Sequence, residues 1–151
     1  MGDLALNLTF ELVCDPSAPD VSADAFAAIC RYVACQSSTT LVWDVTLALV
    51  DDDRLRSLHD QFMGLDTVTD VMTFPHDIPG RTGGDIVVSF ERAAEQGPLH
   101  GLTTVEEIRF LFVHGLLHLC GWDDRTETER AAMLARQSEL IESFGLASGS
   151  R

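Results

Sequence analysis

The segment from Val105 to Asp124 constrains this chain more than any other. Val105, Ile108, Leu111, Phe112, Leu116 and Leu119 cover most of a helix's circumference, so such a helix has no broad face to give to water and belongs at the centre of a fold. His114 and His118 stand on it. Four residues along a helix bring two side chains to within about 40° in azimuth and about 6 Å along the axis, so both imidazoles can reach one metal ion. Gly121 follows where the helix must end, and glycine enters left-handed backbone without steric cost. After that reversal, a residue three positions further on can approach the same metal. That residue is Asp124.

His76, Asp123 and Cys120 are the competing third ligands. Asp123 is expected to turn away, because neighbours after a tight turn rarely face one site. The pattern His-x3-His-x2-Gly-x2-ligand is the spacing of metzincin zinc proteases. Those proteases place a glutamate directly after the first histidine as general base, and Gly115 stands there. A glycine cannot take a proton from metal-bound water, so the spacing favours a metal and the missing glutamate disfavours a protease. A metal held this way can still acidify its water and polarise a phosphoryl or carbonyl oxygen.

The remainder alternates strands and helices. Leu4, Leu6, Leu8, Phe10 and Leu12 alternate with Asn7, Thr9 and Glu11, the pattern of a half-buried strand. Beyond Ser22, Phe26, Ile29, Cys30 and Val33 recur at helical spacing, and Val45, Leu47 and Leu49 mark a second strand. Asp51, Asp52 and Asp53 are expected to cap a helix ending near Gly64, in preference to binding magnesium, because carboxylates suit a helix N-terminus. Thr69 to Phe74 predicts a third strand, Pro75 to Gly80 a loop, and Asp85 to Ser89 a fourth strand. Thr104–Glu107 and Thr126–Glu129 are capping-box patterns opening the histidine-bearing helix and a last one that turns Met133, Leu140, Ile141 and Phe144 inward. The expected fold class is α+β: a single domain over residues 1–147, with a mixed sheet of about four strands covered by four to five helices, the metal site on a central helix, and a frayed tail at 148–151.

Acidic residues number 24 against 10 basic ones, all arginine, for a net charge of -14. Such a surface repels nucleic acid at long range, although arginine can grip phosphate locally within an acidic protein. No apolar run approaches the roughly 20 residues of a membrane span, and the N-terminus lacks a secretory pattern, so a cytoplasmic location without membrane contact is expected. Cys14, Cys30, Cys35 and Cys120 form no C-x-x-C pair and are expected as reduced thiols packed in the core. Trp122 is expected to pack over the turn rather than stack on a base. Asp70 and Asp85 are expected to tie loops, and Thr73 and Ser89 to pack on the sheet. His59 and His100 belong to no visible cluster.

The string His114-Gly115-Leu116-Leu117-His118-Leu119-Cys120-Gly121-Trp122-Asp123-Asp124 resembles the signature H-G-x-L-H-L-x-G-Y-D-H of the YbeY-like rRNA maturation factors. Upstream, Thr69-Asp70-Val71-Met72-Thr73-Phe74-Pro75 is similar to that family's T-D-V-L-S-F-P, and Gly84-Asp85-Ile86-Val87-Val88-Ser89 to its G-D-I-V-I-S. The likeness spans roughly residues 4–145. It implies a zinc-dependent endoribonuclease for single-stranded RNA, acting in 16S rRNA maturation, ribosome biogenesis and quality control. By the same likeness one zinc ion per chain would be bound by His114, His118 and Asp124. The partners implied are rRNA in the small ribosomal subunit, ribosomal proteins and a ribosome-associated GTPase. No catalytic residue is assigned beyond the ligands.

Two departures stand out. The family's third ligand is a histidine where Asp124 stands, and a two-His, one-carboxylate set is an established catalytic zinc type. Met63 occupies the place of a family arginine thought to serve phosphate binding, with Arg56, Arg81 and Arg125 as candidate replacements. That second departure keeps an alternative open, a metal-stabilised ribosome assembly factor without nuclease activity.

Overall fold

The computed structural model describes residues 6–37, 40–64 and 69–147. The elements run β1 (Asn7–Cys14), α1 (Ala23–Ser37), β2 (Val42–Val50), α2 (Asp52–Met63), β3 (Val71–Pro75), β4 (Arg81–Ser89), α3 (Phe90–Leu99), α4 (Thr104–Leu119) and α5 (Glu127–Phe144). The expected α+β architecture is present, with four strands and five helices among the described residues. Leu4 and the tail at 148–151 lie outside them.

The sheet has the order β1-β2-β4-β3. β1 pairs parallel with β2 and β2 parallel with β4, whereas β3 and β4 run antiparallel. Parallel neighbours need a crossover, which α1 supplies between the first two strands, while β3 and β4 need only a short turn. β3 is left as an edge strand. Strand alternation sorts the core into two layers. Leu47, Leu49, Ile86 and Val88 face α1, α4 and α5 in the main cluster. Val87 and Met72 turn the other way to meet Leu55 of α2. α4 buries ten residues, among them Ile108, Phe112, Leu116 and Leu117, each contributing roughly 1.5–3 kcal/mol by leaving water.

Several local expectations hold in detail. Asp51 caps α2, accepting from Arg54 N at 2.7 Å, and Gly64 ends that helix at φ 68°. The Thr126–Glu129 box opens α5. The box of α4 is shifted by one: Thr103 is the cap, accepting from Glu106 N, and Glu106 returns the bond to Thr103 N. α3 is a helix that no apolar stripe announces, since Glu91, Arg92, Glu95 and Gln96 fill much of it, and Pro98 sits in its last turn. Ser89, expected to pack on the sheet, ends β4 and caps α3 by accepting from Arg92 N at 3.1 Å. β4 begins at Arg81 rather than Asp85, which places Asp85 mid-strand and exposed. Gly83 and Gly84 hide that start from a strand reading, yet the fold needs them. A Cβ on Gly84 would lie 2.9 Å from Pro75 Cα and 3.0 Å from Leu119 Cδ2. The cysteine expectation holds for buried Cys30 and half-buried Cys120, but Cys14 and Cys35 are exposed; all four are free thiols. Cys14 closes β1 and Cys35 lies in the last turn of α1, on the sides turned from the core.

Candidate metal centre

α4 ends in a Schellman turn. Gly121 N–H donates to His118 O at 3.0 Å and Trp122 N–H to Leu117 O at 3.0 Å, with Gly121 at φ 98°. Those two bonds satisfy carbonyls that a helix end leaves orphaned, and they need a left-handed residue at this position. The reversal has two consequences for chemistry. It brings Trp122 O to 3.0 Å from His118 Nδ1. It also returns Asp124 to the histidines, with Oδ2 at 3.5 Å from His114 Nε2 and 3.5 Å from His118 Nε2.

The second histidine is held from another helix. His114 Nδ1 lies 3.1 Å from Gln137 Oε1, and Gln137 Nε2 donates to Phe110 O at 3.0 Å. The amide orientation follows, because Phe110 O can only accept, so Gln137 turns its oxygen to His114. Both imidazoles therefore carry their proton on Nδ1, one facing an amide oxygen and the other a carbonyl. Their Nε2 atoms are left with lone pairs, 3.1 Å apart, and both face a carboxylate oxygen. Three acceptors converge with no proton of their own between them. A cation relieves that arrangement.

The dimensions suit one. Tetrahedral coordination at zinc bond lengths of about 2.05 Å separates neighbouring ligand atoms by about 3.3 Å, and the observed edges are 3.1, 3.5 and 3.5 Å. Burial is the main reason His114 titrates below the usual imidazole range, and the Gln137 contact and the Asp124 and Asp70 charges oppose it. A neutral imidazole is the form that ligates. His114, His118 and Asp124 form the one group of three such side chains among the described residues that can hold a metal.

The rival ligands are elsewhere. Asp123 takes Asp124 N–H on Oδ1 at 2.9 Å and pairs through Oδ2 with Arg125 Nε at 3.0 Å, so it turns outward. His76 is exposed beyond β3, its N–H bonded to Gly83 O. Cys120 lies outside the triad, and burial pushes its thiol up to about 11. Trp122 packs half-buried against the main core. Of the candidate arginines, Arg125 is 84% exposed and held by Asp123, Arg56 is on the outer side of α2, and Arg81 opens β4. Met63 is 60% exposed and, with Phe62, His59, Thr69 and Thr73, lines a groove along β3. Thr73 thus does face a groove, contrary to the packing expectation.

Two contacts escaped the sequence reading. Gln137 carried a signal, being polar on the inward stripe of Met133, Leu140 and Ile141. His100, to which no role was given, lies 3.3 Å from Glu107, a carboxylate buried at 0% exposure in the first turn of α4. Gly115 is closely packed. A Cβ there would meet Ile86 Cγ2 at 2.7 Å, so with Ile86 in place a side chain at 115, the glutamate of a metalloprotease included, would be overpacked.

Fold and site together describe an α+β protein whose buried central helix presents a His–His–Asp triad of metal-binding type. The profile of the Endoribonuclease YbeY family matches residues 17–145. The chain belongs to that family of hydrolases acting on RNA. Among its relatives, Endoribonuclease YbeY of Nautilia profundicola is 41% identical over 106 residues, covering 70% of this chain and 75% of that one. Those of Geobacillus kaustophilus (34% over 142 residues, 84% and 91%) and Salinispora tropica (33% over 147 residues, 87% and 94%) extend over more of the chain. A solution structure of a Thermotoga maritima protein shares the fold with a TM-score of 0.60 at 23% identity, covering 89% of this chain and 87% of that one. No helix among the described residues is long and apolar enough to cross a membrane.

Proposed function

We propose that this chain is a zinc-dependent endoribonuclease that cuts single-stranded RNA during maturation of 16S rRNA in the cytoplasm. The observation that carries this reading is the triad, three lone-pair atoms within 3.1–3.5 Å of one another, two of them fixed in tautomer by Gln137 and Trp122. His114, His118 and Asp124 would hold one zinc ion per chain. A zinc ion so placed supplies Lewis acidity toward a phosphoryl oxygen and an acidified water. Gln137 and Trp122 O hold the two rings in the ligating orientation, and α5 and the main core screen the centre from one side. Asp124 adds one negative charge, which makes the centre a weaker acid than three neutral imidazoles would. The ribosomal setting, with ribosomal proteins and a ribosome-associated GTPase as partners, follows from family likeness.

Met63 favours a second reading, in which the same metal is structural and the chain acts as a ribosome assembly factor without cutting RNA. One experiment separates the two. Untagged wild type and His114→Ala, purified identically, are assayed for zinc content and for cleavage of a structured rRNA fragment and a single-stranded RNA. Zinc and cleavage in the wild type alone support the nuclease. Zinc without cleavage moves the assembly factor ahead, and equal zinc in both proteins refutes the ligand assignment.

A further inference from the structure

On the elements packed against α4 lies a polar pocket of about 240 Å³, lined by Thr69, Asp70, Arg92 and Gln96. Thr69 and Asp70 lead into the edge strand β3, and Arg92 and Gln96 stand one turn apart on α3. The bond from Ser89 N–H to Asp70 O, 3.0 Å, ties the two walls together. α4, which carries both histidines, packs against β3 and α3, so the two walls of the pocket belong to elements that flank the helix of the triad. Thr69 is shared with the apolar groove of Phe62 and Met63, which continues the track along β3.

We propose that this pocket binds a guanine base of the RNA strand next to the bond that is cut. The proposal rests on the endoribonuclease reading for its substrate. Charge disfavours the obvious alternative occupant of an arginine pocket, a phosphate. Arg92 lies 3.3 Å from Glu95 and 4.0 Å from Asp52, and Asp70 forms the facing wall, so three carboxylates surround one guanidinium. A phosphate group is disfavoured inside the pocket, and a neutral ring rich in hydrogen-bonding groups is not.

The donor and acceptor inventory then selects the ring. A guanidinium offers five N–H donors, and among the described residues Arg92 pairs only with those two carboxylates, not with Asp70. Its Nε is buried, so the donors that can face the pocket are those on the terminal nitrogens, and the side chain is 29% exposed. Asp70 can only accept. The pocket therefore presents donors on one wall and an acceptor on the other, with the Gln96 amide able to do either. Guanine places N1–H and its 2-amino group side by side for a carboxylate, and O6 and N7 for a guanidinium. Adenine, cytosine and uracil lack two adjacent N–H donors on one edge.

The test uses short single-stranded RNAs differing at one position, guanine, inosine, adenine, cytosine or uracil, with the zinc-loaded full chain. A bidentate contact discriminates by about 1–3 kcal/mol, so kcat/KM next to guanine should exceed that next to adenine by roughly 5–150-fold. Inosine, which lacks only the 2-amino group, should fall between them, an arm that needs no protein variant. Asp70→Asn and Arg92→Met should collapse the guanine-to-adenine ratio toward one. Binding of the same RNAs to His114→Ala, read by fluorescence anisotropy, should keep the guanine preference without cleavage. Cleavage at equal rates beside every base, or a ratio unmoved by both variants, overturns the subsite and leaves the nuclease standing. Guanine-selective binding with no cleavage by the wild type supports the subsite and overturns the nuclease. Neither binding nor cleavage overturns both.

Discussion

Gln137→Leu isolates what a residue behind the ligands contributes. Gln137 is completely buried, accepts from His114 Nδ1 at 3.1 Å and donates to Phe110 O at 3.0 Å. Leucine is similar in size, so little cavity forms, but both bonds disappear. His114 Nδ1–H then faces an apolar group, at a cost of about 1–3 kcal/mol for an unsatisfied buried donor, or its ring rotates and takes Nε2 out of the triad. Either route lowers metal affinity. Loss of such an orienting partner typically costs 10–100-fold, equal to roughly 1.4–2.7 kcal/mol. The assay is zinc competition against a chromophoric chelator, with circular dichroism and the urea midpoint read on the same samples to establish folding. Gln137→Glu keeps an acceptor toward Nδ1, and its zinc affinity should stay nearer the wild type than that of the leucine variant. A folded Gln137→Leu protein that binds zinc within twofold of wild type would refute the claim that this amide fixes the His114 tautomer.

Gly115→Ala gains about 1 kcal/mol of helix propensity but sets a Cβ 2.7 Å from Ile86 Cγ2, and overpacking of that kind costs about 1–3 kcal/mol. The urea midpoint should fall, and Gly115→Ala combined with Ile86→Ala should lose less than the sum of the two single changes; strict additivity would show that the two positions do not press on each other. Thiol labelling of the native chain should modify exposed Cys35 and Cys14. Cys30, which burial pushes up to about 12, and Cys120, pushed up to about 11, should react only on unfolding; prompt reaction of all four thiols contradicts the packing of α1 and α4. Met63→Arg restores a cation on the groove along β3 and should tighten single-stranded RNA binding. The slope of log K against log salt should steepen by about 0.7 for one added phosphate contact, and an unchanged slope in anisotropy titrations removes position 63 from the RNA path.

What could be read from the sequence was what the chain builds locally. His114, His118, Gly121 and Asp124 lie within eleven consecutive residues, and a helix followed by a Schellman turn allows them few arrangements. The caps at Asp51 and Thr126 were legible for the same reason. Contacts made across the fold were not. Gln137 reaches His114 from a helix 23 residues away, and only its place on an apolar stripe hinted at a partner. α3 was missed because its outward residues are charged and its inward ones, Phe90, Ala93 and Gly97, are too few to show a period. The pocket it forms with Thr69 and Asp70 was hidden with it. Gly83 and Gly84 weakened the strand signal of β4 at the place where neighbouring backbone and Leu119 come closest.

Gly115 joins the two kinds of information. The missing glutamate was visible as chemistry, a metal-binding spacing without a base beside it, and it coincides with close packing, because a Cβ at position 115 would press on the Ile86 side chain. A side chain at 115 would therefore require Ile86 to give way or the helix that carries both histidines to move. In this fold the site must work without a helix-borne base at that position. Asp124 is the carboxylate that remains at the centre, and its Oδ2 is already turned to both imidazoles. Under the nuclease reading, the proton given up by the attacking water or 2′-hydroxyl has to pass to a group other than residue 115, which is why the ligand variants and the RNA variants have to be read together.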